Sequence, residues 1–475
     1  MKYETVIGLE VHAELSTKTK AFCACEYTFG AEVNSQCCPI CTAMPGTLPV
    51  LNKAVVEYAM KLGLSTGCTI NKDSRFDRKN YFYPDLPSGY QISQHFVPIC
   101  QNGELEFFHK GEKRKTRINR IHMEEDTAKL LHGVASNGGT LIDFNRCGVP
   151  LLEIVTEPDL RSGDEAKDLL EALRMLLATL DICNCKMQEG AIRCDINVSV
   201  RPLGQTEYGT RVEMKNVSTF SGAILAIEYE SNRQIELIES GSAVSQETRR
   251  WDEQENKSVS MRTKENAADY RYFPEPNLTP VIVDDAWLKA MEETLPELPI
   301  PKFDRYRSLN IPESESWMLV EQLDKAFFFE KCTELGANPR NAANWILGHI
   351  TARLNKSGIS INDSPLSAAA LCEILELVEK AKINLDAGKR VADEIFDNGG
   401  SPAEIVEKLS LAQVSDKGEL EQLITEVLKA NEKSVTDYKN GKTNAFGFLV
   451  GQCMKASKGK ANPQIINSLL KEALG

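Results

Sequence analysis

The sequence predicts an α+β protein, with strands gathered before residue 295 and helices after it. Three observations carry that expectation. Segments in the first part alternate apolar and polar side chains with the period of a strand. Pro296, Pro299 and Pro301 fall within six residues, and the run Leu295–Pro301 reads as a linker. Beyond it the apolar spacing is that of amphipathic helices, and no convincing strand follows. The implied division is 1–294, 302–410 and 415–475, with a softer break at Val414–Gly418.

The first strand sets the pattern. Ile7, Leu9, Val11, Ala13 and Leu15 form an apolar row, and Glu10, His12 and Glu14 a polar one. Next, Cys23 and Cys25 are followed after twelve residues by Cys38 and Cys41. Two short-spaced pairs can fold round one ion, so this spacing predicts a structural tetrathiolate Zn²⁺ site, with Cys37 as a rival ligand. Asn52 caps a helix expected to run to Leu62 and stop at Gly63. Asp77–Gln94 is rich in aromatics, Pro and Gly, which excludes a regular helix and suits a ligand-facing loop. Arg78 and Lys79 could meet phosphate oxygens there. Residues 95–120 alternate like two strands around an Asn102-Gly103 turn.

Acids then dominate the alternating segments. Ile121–Asp126 holds Glu124 and Glu125, and in Gly148–Asp159 the residues Glu153, Val155 and Glu157 share a face. After a helix at Asp164–Leu180, capped by Ser162 or Asp164, Ile192–Val200 and Arg211–Lys215 continue the theme with Asp195, Asn197, Glu213 and Lys215. Side by side, such strands would put Glu10, His12, Glu125, Glu153, Asp195 and Glu213 on one polar face. Solvated faces usually mix Lys, Ser and Thr with the acids. Here carboxylates and one His sit within very apolar segments, and their repulsion calls for a cation. Mg²⁺ or Mn²⁺ is the expectation, the imidazole leaving Mn²⁺ open. A long helix at Ser218–Ser240 ends at Gly241, Thr248–Asp252 and Arg262–Pro276 are basic and aromatic, and Val281–Val283 is a short buried strand. Helices are expected at 313–323, 325–335, 339–354, 365–380, 384–397 and 402–409, then at 419–430, 432–439, 444–457 and 462–474.

With 475 residues and a net charge of -13, the chain as a whole does not attract nucleic acid, so any such contact must be local. From Lys429 to the end there are eight lysines against three acids, a basic tail on an acidic protein. Lys442, Lys455, Lys458 and Lys460 are its candidate RNA contacts. The absence of a signal-like or membrane-length apolar segment sets a cytoplasmic expectation, in which 14 cysteines favour thiols and metal ligation over disulfides.

Gly8–His12, the paired cysteines, Asp77–Gln94, Ile121–Asp126, Gly148–Asp159, Asp269–Pro276 and Phe446–Gln452 together resemble the GatB family of aspartyl/glutamyl-tRNA amidotransferases. The likeness spans the chain. It departs at Ser88, where Lys is expected, and at Cys147, where a smaller residue is commoner. The resemblance implies a glutamine-synthetase-like cradle built on an antiparallel sheet, a helical domain and a tRNA-binding tail. It implies ATP-dependent amidation of Glu-tRNA(Gln) or Asp-tRNA(Asn). Ammonia would come from a partner amidase subunit, and a third, small subunit would make up a heterotrimer. On that basis His12, Glu125 and Glu153 are the expected Mg²⁺ ligands, with Glu10 and Glu157 as further candidates. Glu10, Lys79, Glu125, Asp195 and Glu213 are the expected catalytic set. A stand-alone small-acid kinase would leave the basic tail without a use, and a non-catalytic RNA scaffold would leave the acidic face without one.

Overall fold

The computed structural model describes residues 2–133, 138–263, 270–413, 417–457, 461 and 463–474. The chain divides into two compact units at Ile300/Pro301.

The first unit is built on a nine-stranded sheet. Its strands in chain order are β1 (Tyr3–Glu14), β2 (Thr69–Ile70), β3 (Cys100–His109), β4 (Glu112–Glu125), β5 (Pro150–Thr156), β6 (Ile192–Pro202), β7 (Val212–Val217), β8 (Glu247–Asp252) and β9 (Lys257–Thr263). They lie in the order β9-β8-β7-β6-β1-β5-β4-β3-β2. Neighbours are antiparallel except β7 and β8, which are parallel. A helix bridges that pair, as a parallel connection requires. β1 therefore sits at the centre, paired with β5 and β6.

The apolar rows of the strands are buried beneath three helices, α1 (Lys53–Ser65), α2 (Gly163–Thr179) and α3 (Phe220–Glu239). Asn52, Ser162 and Thr219 cap them by accepting from Ala54, Glu165 and Gly222 backbone N–H groups. Gly63 does not stop α1, which continues to Ser65. Its role is space: a Cβ there would lie 2.5 Å from Cys100 Sγ. Asn102-Gly103 is likewise not a turn but part of β3. A Cβ on Gly103 would meet Cys68 Sγ at 2.3 Å and Thr66 O at 2.8 Å, so this glycine serves the close approach of the 66–68 segment. The hairpin turns at Lys110-Gly111, where both φ angles are positive, as a type I′ turn needs.

On the polar side of the sheet, Asp77–Asn80 pairs with both Tyr90–Ser93 and Phe273–Pro274. The loop expected over Asp77–Gln94 is thus a small hairpin held over the sheet. Val281–Ile282 pairs with Asp73–Ser74. Residues 264–269 of the expected Arg262–Pro276 segment lie outside the described residues.

Among its described residues the second unit is helical. A helix Pro299–Ser308 begins inside the proline-rich run, because proline is accepted in a first helical turn. The segment 339–357 is one helical run interrupted by a π-turn at Ile346–Ile350. The C-terminal helices Lys417–Ala430, Glu432–Lys439, Asn444–Ala456 and Pro463–Leu474 carry their own core, including Leu420, Ile424, Leu449, Ile466 and Leu470. No helix among the described residues is long and apolar enough to cross a membrane.

Candidate active site and thiolate cluster

Register decides which side chains meet. His12 of β1 lies opposite Glu153 of β5, and Glu153 opposite His122 of β4. Strand parity then brings Glu124 to the same face as His122. His12 Nε2 is 3.3 Å from Glu124 Oε1 and 3.4 Å from Glu153 Oε2. His122 Nε2 lies 3.2 Å from Glu153 and 3.8 Å from Glu124. Burial alone would push both carboxylates up, but the two imidazoles outweigh it and hold Glu124 and Glu153 below the usual carboxylate range. Burial would pull His12 down, yet Glu153 and Glu124 raise it to about 10.

His12, His122 and Glu153 line one side of a cavity of about 400 Å³, and the buried Glu124 backs them. Glu10, Asp195 and Glu213 extend the acidic side across β1, β6 and β7. Glu10 accepts from Asn197 Nδ2 at 2.8 Å, and burial followed by the charge of Glu153 raises its pKa. Lys215 Nζ bridges Asp195 at 2.5 Å and Glu213 at 3.0 Å. The opposite side is basic and aromatic. Lys79 sits over the rings of Tyr81 and Tyr270, and His95 stacks on Tyr272 with centroids 4.1 Å apart. Burial would lower the Lys79 pKa, but Glu124 and neighbouring groups keep it raised.

Two of the expected metal residues stand elsewhere. Glu125 ends β4 with the opposite parity from Glu124 and accepts from the Ile92 backbone N–H at 3.1 Å. It lines a separate cavity with Cys23, Cys41, Ser88 and Tyr90, where burial pushes its carboxyl up to about 8. Glu157 falls past a register shift between Val155 and Thr156, which breaks its alignment with Glu153. It accepts from Asn119 Nδ2 on the exposed side instead. Sequence reasoning passed over Glu124 and His122, although Ile121 and Met123 as the buried row already assigned them to the polar row.

The acid–imidazole group fits a divalent cation. One ligand atom each from His12, Glu124 and Glu153 lie within 4.8 Å of one another. Bonds of roughly 2.1 Å at right angles separate ligand atoms by about 3.0 Å, near the observed spacing. The four cysteines fit Zn²⁺ as well. The sulfurs of Cys23, Cys25, Cys38 and Cys41 lie within 4.8 Å of one another, and Cys38 and Cys41 are 3.9 Å apart. A tetrahedral ion with bonds of about 2.3 Å requires about 3.8 Å. Cys37 is not in this group and donates to Asn34 O. Lys20, fully buried, points Nζ at Cys41 Sγ from 3.6 Å and donates to Gln36 O. Through hydrogen bonding from Cys23 first, with Lys20 contributing its charge, the Cys41 thiol is lowered to about 5.

In the C-terminal segment, Lys442, between two helices, pairs with Asp437 at 2.9 Å, and Lys455 is exposed in the last turn of its helix. Lys458 and Lys460 lie outside the described residues.

Fold and site together define a class: an α+β protein whose central sheet gathers acids and imidazoles on one face with the spacing of a cation site, followed by a helical C-terminal part. Comparison with known families specifies it. Residues 5–289 match the GatB/GatE catalytic domain, and residues 327–474 match the GatB domain. The chain is 51% identical to the GatB protein of the aspartyl/glutamyl-tRNA(Asn/Gln) amidotransferase of Caldicellulosiruptor bescii, covering all of this chain and 99% of that one. It is 49% identical to the protein of the same name from Caldanaerobacter subterraneus subsp. tengcongensis over the whole of both chains. The Lachnoclostridium phytofermentans relative, also so named, is 50% identical over 99% of each. The chain therefore belongs to the GatB family of amidotransferase subunits.

Proposed function

We propose that this chain activates and amidates the side-chain carboxylate of Glu-tRNA(Gln), Asp-tRNA(Asn) or both, at the cavity on β1, β4, β5, β6 and β7. The observation that carries the reading is the meeting of His12, Glu124 and Glu153 beside Glu10, Asp195, Glu213 and Lys79. A carboxylate is a poor electrophile because its oxygen leaves badly. In the first step a carboxylate oxygen forms a bond to the γ-phosphorus of ATP while the bond to the ADP oxygen breaks. In the second, ammonia bonds to the acyl carbon, and the C–O bond breaks with its electron pair leaving on phosphate.

His12, Glu124 and Glu153 would hold Mg²⁺ or Mn²⁺, which supplies charge neutralisation for the phosphoryl oxygens. Lys79, held charged near the acids, serves an anionic oxygen across the cavity. Glu10, whose raised pKa suits proton exchange, accepts a proton from ammonium or from the attacking amine. Asp195 and Glu213 hold Lys215 and complete the acidic wall on that side. The cysteine cluster holds a structural Zn²⁺, its four thiolates leaving no open position. The exposed Lys455 and the surrounding basic tail contact tRNA phosphates. A partner amidase releases ammonia from glutamine, and a third, small protein makes up the heterotrimer.

The reading is tested by co-expression with the amidase partners and assay of ADP and amide separately. Glutamine or ammonium is supplied with each mischarged tRNA. Amide formation without ATP, or ADP formation in Glu124→Gln at the wild-type rate, would overturn it.

A further inference from the structure

Arg120 sits in the same cavity and has no role in the scheme above. It lies on β4 two residues before His122, on the same face, opposite Val155 in register. Its Nε is enclosed yet has no hydrogen-bond partner among the described residues. His122 Nδ1, next along that face, is also enclosed without one. Buried guanidinium N–H groups left unpaired are costly, and a fork of donors beside a cation-holding cluster matches a tetrahedral oxyanion. The other cations of the cavity are differently engaged: Lys215 bridges two acids, Lys79 lies over two rings, and Arg211 is exposed.

Register supports the placement: Arg120 is one same-face step, about 7 Å along the strand, from His122, which lies opposite Glu153 of the cluster.

We propose that Arg120 is a phosphoryl-binding residue of this cavity, its guanidinium taking oxygens of the transferring group beside the His12–Glu124–Glu153 cluster. This rests on the activation reading above and assigns its anion subsite. The same guanidinium then faces the phosphate of the acyl phosphate, which leaves when ammonia attacks. Burial of the Nε favours phosphate over the exposed phosphates of tRNA as the ligand.

The test uses the assembled heterotrimer carrying Arg120→Gln or Arg120→Lys. Binding of ATP and of adenosine, which has no phosphates, is measured with Mn²⁺ present. Mn²⁺ affinity is measured without nucleotide, and acyl phosphate is trapped with hydroxylamine. Arg120→Gln is expected to weaken ATP at least about tenfold, leave adenosine and Mn²⁺ affinity within about twofold, and lower hydroxamate formation at least about a hundredfold. Arg120→Lys, keeping charge without the fork, falls between. Wild type that binds ATP, with both variants matching it in ATP affinity and hydroxamate yield, overturns the assignment alone. Equal weakening of ATP and adenosine overturns it too, because the loss would not concern phosphate. Wild type that binds neither ATP nor Mn²⁺ overturns the activation reading together with the assignment.

Discussion

Glu124 and Glu125 are adjacent in sequence and opposed in environment, and replacing each with Gln separates them. Glu124 lies between two imidazoles and accepts from Ser93 Oγ at 3.4 Å. Its loss removes one of two carboxylates from the cation group, and even indirect support of a metal ligand is worth about 10–100-fold in affinity. Mn²⁺ affinity in Glu124→Gln should therefore drop at least about a hundredfold. Glu125 behaves differently. Burial raises its carboxyl from an ordinary 4.5 to about 8, so the folded chain keeps a proton that the unfolded chain releases. The energetic cost of that group is absent below pH 4.5, grows as pH rises, and is complete above pH 8. The ceiling is about 0.8 kcal/mol at pH 5, about 3 kcal/mol at pH 7 and about 5 kcal/mol at pH 8.5, reduced by the partial exposure of the side chain. Gln keeps an acceptor for the Ile92 N–H and carries no charge to bury. Glu125→Gln should thus leave Mn²⁺ affinity near wild type and raise the unfolding temperature more at pH 8.5 than at pH 5. Mn²⁺ titration and thermal melts at the two pH values are the assay. Equal loss of Mn²⁺ affinity in both variants, or a Glu125→Gln gain that does not grow with pH, refutes the separation of the two faces.

Other substitutions probe the supports of the site. Lys20→Met leaves Cys41 Sγ, Gln36 O and Phe144 O without their buried donor, which should cost about 2–4 kcal/mol and speed zinc transfer to a chromogenic chelator. Unchanged melting and chelation would show that the lysine does not balance thiolate charge. Cys38→Ser should lose the bound zinc measured by elemental analysis, whereas Cys37→Ser should retain it. Gly103→Ala drives a methyl into Cys68 Sγ and the Thr66 carbonyl and should cost about 1–3 kcal/mol in denaturant unfolding. Gly111→Ala meets no atom and pays only for its positive φ, about 1 kcal/mol, so equal losses at the two glycines would contradict the reading of Gly103 as a packing residue.

Alternation was legible wherever one side of a strand is apolar. Ile7, Leu9, Val11 and Ala13 mark β1, and the same rule places Glu10 and His12 on the cavity side. Legibility ended where register, not composition, chose between neighbours. Glu124 and Glu125 are the same residue type; the parity of Ile121 and Met123 separates their faces, but the pairing of β4 with β5 is what brings Glu124 to His12 and Glu153. Glu157 keeps the right spacing from Glu153 in sequence, but the shift at Val155/Thr156 removes it. The glycines show the same limit. Gly103 follows Asn102 as a turn would, yet its need is set by a segment more than thirty residues earlier. Tyr270 and Tyr272 stood out as an aromatic loop, but their seat over Lys79 and against His95 depends on pairing between Phe273 and Arg78.

The sheet does more than display side chains, because it lets one strand end carry two electrostatic regimes. On the side of His12 and His122, a carboxylate is stabilised as an anion and can hold a cation. On the other side, one residue on, an identical carboxyl is stabilised as a neutral acid beside Tyr90 and the cysteine cluster. The β-period is what keeps them apart, since a single-residue slip of β4 would exchange their surroundings. The cysteine cluster bears directly on that register. Ala21 N–H donates to Gly148 O, Cys147 Sγ donates to Cys41 O, and Gly148 leads straight into β5, the partner of β4. A Cβ at Gly148 would sit 3.5 Å from Cys41 and 3.9 Å from Glu125 Oε2, which measures how closely the knuckle abuts the strand end. Zinc removal should accordingly weaken Mn²⁺ binding at the acid–imidazole group without touching any of its ligands. Chelation of zinc that leaves Mn²⁺ affinity unchanged would show that β4 and β5 hold their register without the knuckle.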